Sequence, residues 1–422
     1  MSERKGGRRF HIGSLNHRLV GKLRLLPRKI LVMFAGVGQD MVALDANTGS
    51  VSEITGVELT PVVKGMIDHP AMFTTNLRAF LEKPRIDLVV SEGREFLNTN
   101  EERFDLIFVA ASGAVEAARM GHTRRYLDTY EAMGQYLDHL TPEGMIVFHN
   151  QRVRHKLASL RRHFEERGLG DLGDALFTYI WKNSFDSAFI KPAGLSPFQA
   201  EALSQRIGGA RRARVLYDPF QRDRADAEIA RILGGKDGGA DAELVRDDRP
   251  FNRRIDFSEF ELFPDDQRLQ DRRFANDWIR IFTSILFGVI SLAVIAIARF
   301  AGGASGRLPF GWLFYFFFSG VAYMGVEIGL IGKTELLLGN PLYAVAVILA
   351  LFLVSNSLGA VLQDRYRLIR GVKSMAALVV ATVGWGVVAV SMANAQLLSA
   401  SLPLKILAVA VCVLPSGVCL GC

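Results

Sequence analysis

Two glycines mark the first place where this chain could do chemistry. Residues 29–34 (KILVMF) form a short apolar run that passes into Ala35-Gly36-Val37-Gly38-Gln39-Asp40. A strand, a glycine-rich turn and a helix in that order let backbone approach a nucleotide, because glycine accepts left-handed turns and carries no Cβ. The third glycine of the dinucleotide fingerprint is absent, since Met41 follows Asp40, and this argues against NAD. A second apolar run, Ile54-Thr55-Gly56-Val57, ends in Glu58, 20 residues beyond Gly38. An acid at that strand end is where doubly wound folds hold ribose hydroxyls, although a solvated strand end would look the same. A third run, 86–90, leads into Ser91-Glu92-Gly93-Arg94. There Glu92 could accept from an adenine amino group and Gly93 could permit close approach.

On the acceptor side the residues are less committed. A fourth run, Phe104–Val109, opens into Ala110-Ala111-Ser112-Gly113, with no acid before Glu116. Ser112, His122, Tyr126 and Tyr130 are the candidate acceptor-side groups near that mouth. Each has a bland alternative: His122 as a surface helix start, and Tyr126 and Tyr130, four apart, as packing residues. His149 and Asn150, just past a fifth run, could face the same pocket. No metal site is expected, because the eight His show no His-x-x-x-His spacing with an acid. A serine nucleophile elbow is absent as well. Far downstream, Glu327 interrupts an apolar stretch, where an acid is costly and tends to be functional. Lys333 could pair with it only across a break in the helix. Glu327 and Lys333 are therefore a candidate polar site, with a packing contact as the alternative.

These positions require strands that alternate with helices. The runs at 29–34, 54–57, 86–90, 104–109 and 145–148 are separated by helical patterns, including 126–140, and a Thr141-Pro142-Glu143-Gly144 turn precedes the fifth run. That alternation predicts a Rossmann-like, doubly wound, mostly parallel α/β sheet with both faces covered. Ligands of such sheets sit at the carboxyl ends of the strands, where Gly36, Glu58, Glu92 and Ala110 converge. Residues 151–168 read as an Arg-rich helix, and 232–242 as a glycine-rich loop that either closes over a substrate or merely connects.

Charge and hydropathy divide the 422 residues into three blocks. Residues 1–30 hold nine Lys/Arg against Glu3, a net of +8; residues 281–422 carry +5, so the middle is mildly acidic at −6. The arm, 1–28, reads as a solvated basic leader rather than a specific nucleic-acid contact, and no specific nucleic acid is expected as partner. The only cysteines are Cys412, Cys419 and Cys422, which excludes a disulfide framework or a Cys-based zinc site in the first 411 residues. Uncharged runs at 281–298, 308–326, 336–363, 374–404 and 406–422 predict four or five membrane helices in an all-α domain over 275–422. Residues 1–30 lack a signal-type apolar core, so the globular block is expected to face the cytoplasm. Three crossings would then put Arg365, Arg367, Arg370 and Lys373 outside, against the positive-inside tendency, unless 327–341 is re-entrant. The last apolar run reaches Gly421-Cys422 without a polar tail, and a continuation beyond it is expected.

The succession AGVGQD, VEL, SEGREFL, FDLIFV and YLDTYEAMGQYLDHLTPEGMIVF resembles the spermidine-synthase-like branch of the class I S-adenosylmethionine (SAM)-dependent transferases. Asp247-Asp248-Arg249-Pro250-Phe251 and the stretch GVAYMGVEIGLIGKTELLLGNPLYAVAVILALFLVSNSLGA resemble motifs of its membrane-fused members. The resemblance implies a transferase domain over about 29–265, with SAM or decarboxylated SAM as cofactor. It implies that Gly36 and Gly38 line the methionine moiety, Glu58 holds the ribose and Glu92 stands where the family has an Asp against adenine. Asp40 matches an acid that follows the family's glycines, and Glu131 matches the acid of a Tyr-Thr-x-Glu-Ala motif whose Tyr is here Asp128. The resembled aminopropyltransferases carry an Asp after strand four that binds and deprotonates the attacking amine, where this chain has Ala110 and Ala111. Methyl transfer to a small-molecule or lipid acceptor is the leading expectation. Aminopropyl transfer to a polyamine and a catalytically silent SAM sensor coupled to a membrane carrier are the alternatives. The bilayer is the expected partner, and a homodimer is compatible with the sequence. The Asp247–Pro250 cluster is expected to act first as an ion-pair turn.

Overall fold

The computed structural model describes residues 15–23, 27–49, 53–68, 75–110, 126–151, 153–181, 185–210, 213–234, 244–247, 310–366, 372–398 and 400–421, with isolated positions between 282 and 291. Contacts divide the chain into two units, Met1–Val115 with Arg124–Asn252, and Glu116–Thr123 with Arg253–Cys422.

The first unit is built on one sheet. Strands β1 (Lys29–Met33), β2 (Glu53–Glu58), β3 (Ile86–Val90), β4 (Phe104–Val109), β5 (Leu140–Gln151), β6 (Leu176–Trp181), β7 (Phe185–Ile190) and β8 (Ala213–Tyr217) lie in the order β3-β2-β1-β4-β5-β7-β6-β8. The first five are parallel, whereas β7 is antiparallel to β5 and β6, and β8 is antiparallel to β6. The continuous apolar runs that predicted buried strands are explained by two cores. Leu31, Met33, Ile107, Val109, Ile146 and Phe148 face one core, and their alternates Ile30, Val32, Leu106, Phe108, Met145 and Val147 face the other. Helices α6 (Tyr130–Asp138) and α7 (Arg154–Arg167) cover the first face through Met133, Tyr136, Leu157 and Phe164. Helices α1 (Leu15–Lys22), α2 (Gln39–Thr48) and α8 (Pro197–Gly208) cover the second through Leu19, Met41, Leu44 and Leu203. Between them in the chain run α3 (Pro61–Asp68), α4 (Thr75–Leu81) and α5 (Gly93–Thr99), and α9 (Ala227–Leu233) follows β8.

Two local expectations change. Part of the stretch read as a solvated basic arm is helix α1, in which Leu19 and Val20 are buried, as is Leu23 just past its end, although Arg18 and Lys22 give it charge. The Thr141–Gly144 segment is not a free turn but the start of β5, where the register against β4 shifts between Phe104 and Leu106. Such an irregularity is where a strand tolerates a proline such as Pro142.

The second unit contains α10 (Phe310–Leu338), α11 (Pro341–Tyr366), α12 (Val372–Gln396) and α13 (Leu402–Gly421), packed around Leu337, Ile348, Phe352, Val390 and Val409. Among the described residues, three segments are long and apolar enough to cross a membrane: Pro341–Tyr366, Ala377–Asn394 and Leu402–Leu420. The expected span at 281–298 lies almost wholly outside the described residues. Over the stretch 327–341, α10 runs unbroken through Glu327 and Lys333 to Leu338, and Gly339, with a φ of 68°, turns the chain into α11.

Candidate nucleotide site

The turn after β1 is backbone-strained in the way the glycines predict. Phe34, Gly36 and Gly38 all have positive φ (59°, 52° and 85°), and only Phe34 bears the strain with a side chain. Ala35 donates to the Val57 carbonyl at 3.0 Å and Gly38 to the Ala35 carbonyl at 2.8 Å, which locks the turn against β2. A Cβ built on Gly36 would meet nothing within 4 Å. The space above this glycine is open, as a ligand cradle requires.

Glu58, at the end of β2, is joined to that turn. Its Oε2 accepts from the Gly36 amide and its Oε1 from the Thr60 amide, both at 3.0 Å. Each carboxylate oxygen keeps a second lone pair, which suits a ribose diol. Glu58 is half-buried and ties the end of β2 to the glycine turn.

Glu92 is first of all the N-cap of α5, its Oε2 accepting from Arg94 N at 2.7 Å and Glu95 N at 3.0 Å. Burial pushes its carboxyl up to about 7, against the lowering effect of those amides and of Arg94. Gly93 serves packing rather than ligand approach, because a Cβ there would stand 2.6 Å from Leu127 and 2.8 Å from Met33. Ala110 is fully buried and offers only backbone, its amide donating to Met33 O at 3.1 Å.

Asp40, in the first turn of α2, faces His17 of α1, with Nε2 to Oδ1 at 2.9 Å. His17 stacks on Phe108, and His149 of β5 lies 5.6 Å from it, ring to ring. Burial lowers the His149 imidazole to about 4, so it is neutral near pH 7. His149 is thus roofed by Asn16 and His17 of α1. Tyr130 is engaged elsewhere: its ring stacks on His163 at 4.0 Å and its hydroxyl bonds Glu166, both on α7. The Tyr126 carbonyl accepts from Arg94 at 3.0 Å. Ser112 and His122 lie outside the described residues.

Beneath the Glu92 cap sits a cluster that local sequence reading does not reveal. Arg94 is 2% exposed and makes a two-pronged pair with Asp247, Nη1 to Oδ1 at 2.7 Å and Nη2 to Oδ2 at 2.9 Å. Its Nε donates to Gln135 at 2.6 Å and its Nη1 also to Thr129 at 3.1 Å. Thr129 donates to Asp247 at 2.7 Å, and the Asp247 amide donates to Glu131 at 3.0 Å. Burial and the neighbouring Asp247 raise the Glu131 carboxyl. Beside it, buried Lys156 pairs with Asp128 at 2.9 Å and stands over the Phe148 ring. Asp247 was expected in an ion-pair turn; the structure supplies Arg94 as its cation, and Asp248 and Arg249 lie outside the described residues.

In the second unit Glu327 is 5% exposed. Six helical positions, roughly 9 Å of rise and 120° of rotation, separate it from Lys333. No ion pair joins them among the described residues, and the Lys333 carbonyl accepts from Asn394 at 2.9 Å. Among the described residues no group of His, Cys, Asp and Glu could hold a metal ion.

No family model matches the chain. It is 24% identical over 141 residues to a polyamine aminopropyltransferase of Thermococcus onnurineus, covering 33% of this chain and 49% of that one. It is 23% identical over 146 residues to a polyamine aminopropyltransferase of Thermococcus kodakarensis, with the same two shares. The chain thus spans about half the length of the curated relatives it matches. Among solved structures, spermidine synthase from Thermotoga maritima aligns at 14% identity and TM-score 0.35 over 52% of this chain and 74% of that one. An O-methyltransferase from Bacillus cereus in complex with SAH aligns at 13% identity and TM-score 0.29 over 43% and 82%. The sheet unit thus has a mostly parallel, Rossmann-like α/β fold, and its sequence is similar to that of the two polyamine aminopropyltransferases.

Proposed function

We propose that the sheet unit binds SAM and transfers its methyl group to a small or membrane-associated acceptor, held at the bilayer by the helices of the second unit and facing the cytoplasm. The observation that carries the reading is the open turn at Gly36 tied to Glu58, with backbone alone at Ala110. Gly36 and Gly38 would border the methionine portion, Glu58 the ribose, and Glu92 with the start of α5 the adenine. Bound there, the cofactor supplies an activated carbon on a sulfonium, so the carbon–sulfur bond breaks as the acceptor's lone pair forms the new bond. What remains for the protein is to orient the acceptor, exclude water and, where the acceptor carries a proton, receive it. An acceptor that is already a good nucleophile needs no acid at the mouth of β4.

A second reading is favoured by the two curated relatives, both named as polyamine aminopropyltransferases. It would use decarboxylated SAM and a polyamine. Calorimetric titration of the full chain in lipid nanodiscs with SAM and with decarboxylated SAM separates the two. Tighter binding of SAM is expected. Preference for the decarboxylated form would replace methyl with aminopropyl transfer, and binding of SAM without turnover on any acceptor would leave a sensor.

A further inference from the structure

The second unit holds a polar layer that the nucleotide site does not use. Glu327 lies near the middle of α10 and is 5% exposed, yet no hydrogen bond or ion pair reaches its carboxylate among the described residues. One turn earlier on α10, four positions from Glu327 and so on the same helix face, stands Tyr323. Asn356 of α11 donates from Nδ2 to that hydroxyl at 2.9 Å, while its Oδ1 is buried without a partner. A Cβ on Gly417 of α13 would collide with Ser355 Oγ and stand 3.8 Å from Asn356 Oδ1, so three helices close on this level.

The hydroxyls around the layer do not repair its lack of donors. Ser355 donates to the Leu351 carbonyl at 2.6 Å, Ser416 to the Thr382 carbonyl at 2.9 Å and Thr382 to the Leu378 carbonyl at 2.9 Å. Each has spent its proton on backbone and presents only lone pairs. Next to Ser416, Pro415 sits inside α13 and lacks the N–H that would bond the Val411 carbonyl. Of the hydroxyls in the layer, the Tyr323 O–H alone keeps a proton not spent on backbone, against the Glu327 carboxyl, the Asn356 Oδ1 and the hydroxyl lone pairs, so acceptors outnumber donors. A single added proton serves one acceptor; a metal ion serves several oxygens at once.

We propose that Glu327, Tyr323 and Asn356 form a binding site for an alkali-metal cation within the helical bundle. A carboxylate, an amide carbonyl and hydroxyl lone pairs are the hard oxygen donors such an ion takes. The site does not depend on the nucleotide reading, because no residue is shared with it.

The test uses the full chain in nanodiscs at constant pH and ionic strength, with choline chloride replaced stepwise by NaCl or KCl. The wild type is expected to show a saturable rise in Tm, by several degrees, with one alkali ion and not with choline. Glu327→Gln should abolish the rise, and Asn356→Ala should raise the half-saturating concentration about tenfold, the cost of one lost ion–dipole contact. Equilibrium binding of radioactive sodium and of rubidium, a potassium surrogate, to the wild type keeps the question decidable if the variants fold poorly. Absence of saturable binding of either ion would overturn the proposal, as would an undiminished response in Glu327→Gln. A Tm that responds to pH alone, with Glu327→Gln matching the wild type at low pH, would show a protonated carboxyl and equally overturn it.

Discussion

Replacing Asp247 with Ala removes the counter-charge from one of the most deeply buried cations in the sheet unit. Arg94 is 2% exposed and Asp247 18%, and the two are joined by parallel bonds of 2.7 and 2.9 Å. After the substitution the guanidinium keeps the Tyr126 carbonyl, Thr129 and Gln135, so its N–H groups stay largely bonded but its charge is uncompensated. Breaking a buried pair by deleting one member costs about 3–5 kcal/mol, and the residual exposure of Asp247 places this case near about 3 kcal/mol. For a unit of this size that corresponds to a fall in Tm of roughly 6–12 °C. The Arg94→Met/Asp247→Leu pair, which buries no charge, should recover most of the loss. Because the chain has two units, the loss is best read locally, as faster hydrogen exchange in Gly93–Thr99 and Tyr130–Asp138, with calorimetry as the global check. A loss below about 1 kcal/mol, or exchange that quickens uniformly, would refute the view that this pair holds the 244–247 segment against the nucleotide site.

Glu58→Ala should weaken nucleoside binding by about 1–3 kcal/mol in calorimetry, because the Gly36 and Thr60 amides lose their acceptor and the ribose loses its own; unchanged affinity would remove Glu58 from the site. Two buried groups give opposite pH dependences. The Glu92 carboxyl titrates near 7 when folded, so its neutral form is favoured and stability is lost as pH rises from about 4.5 through about 7. The His149 imidazole titrates near 4, so stability is lost as pH falls from about 6.5 through about 4. The slopes oppose one another in the wild type, and denaturant titrations of Glu92→Gln should steepen the acid-side loss while His149→Gln exposes the decline between about 4.5 and about 7. A flat profile in both variants would contradict the two environments.

What the residues disclosed in advance, they disclosed through short-range regularity. Lys29–Met33 and Phe104–Val109 are readable as strands because a parallel strand covered on both faces must be apolar throughout. Glu58 is readable because an acid closes such a run. Helix α1 escaped because its charge, counted along the chain, conceals a buried side made of Leu19 and Val20, continued by Leu23 just past its end. Glu92 was read for its carboxylate and proved also to be a helix cap, a role the sequence Glu-Gly-Arg-Glu does not advertise. Arg94 and Asp247 lie 153 positions apart, and Asp128 and Lys156 sit on different elements, so no periodicity links either pair. An Arg in the otherwise compact helix Gly93–Thr99 was the one local sign that a distant acid is needed.

The disposition of acids also bears on the acceptor. A polyamine carries several positive charges, and a site for it must present carboxylates that are not already answered. Among the described residues, Asp128 is held by Lys156, Asp247 by Arg94 and Thr129, and Glu166 by Tyr130 and Arg162. Glu131 receives the Asp247 amide and is pushed toward its neutral form. Releasing any of these to a diamine would strand a buried Lys or Arg, at several kcal/mol for the fully enclosed ones. Putrescine and spermidine should therefore neither raise Tm nor bind saturably in calorimetry, with or without decarboxylated SAM. Saturable putrescine binding that disappears in Asp247→Asn would show that the Arg94 pair opens to admit a cation, and the reasoning from committed carboxylates would fail with it.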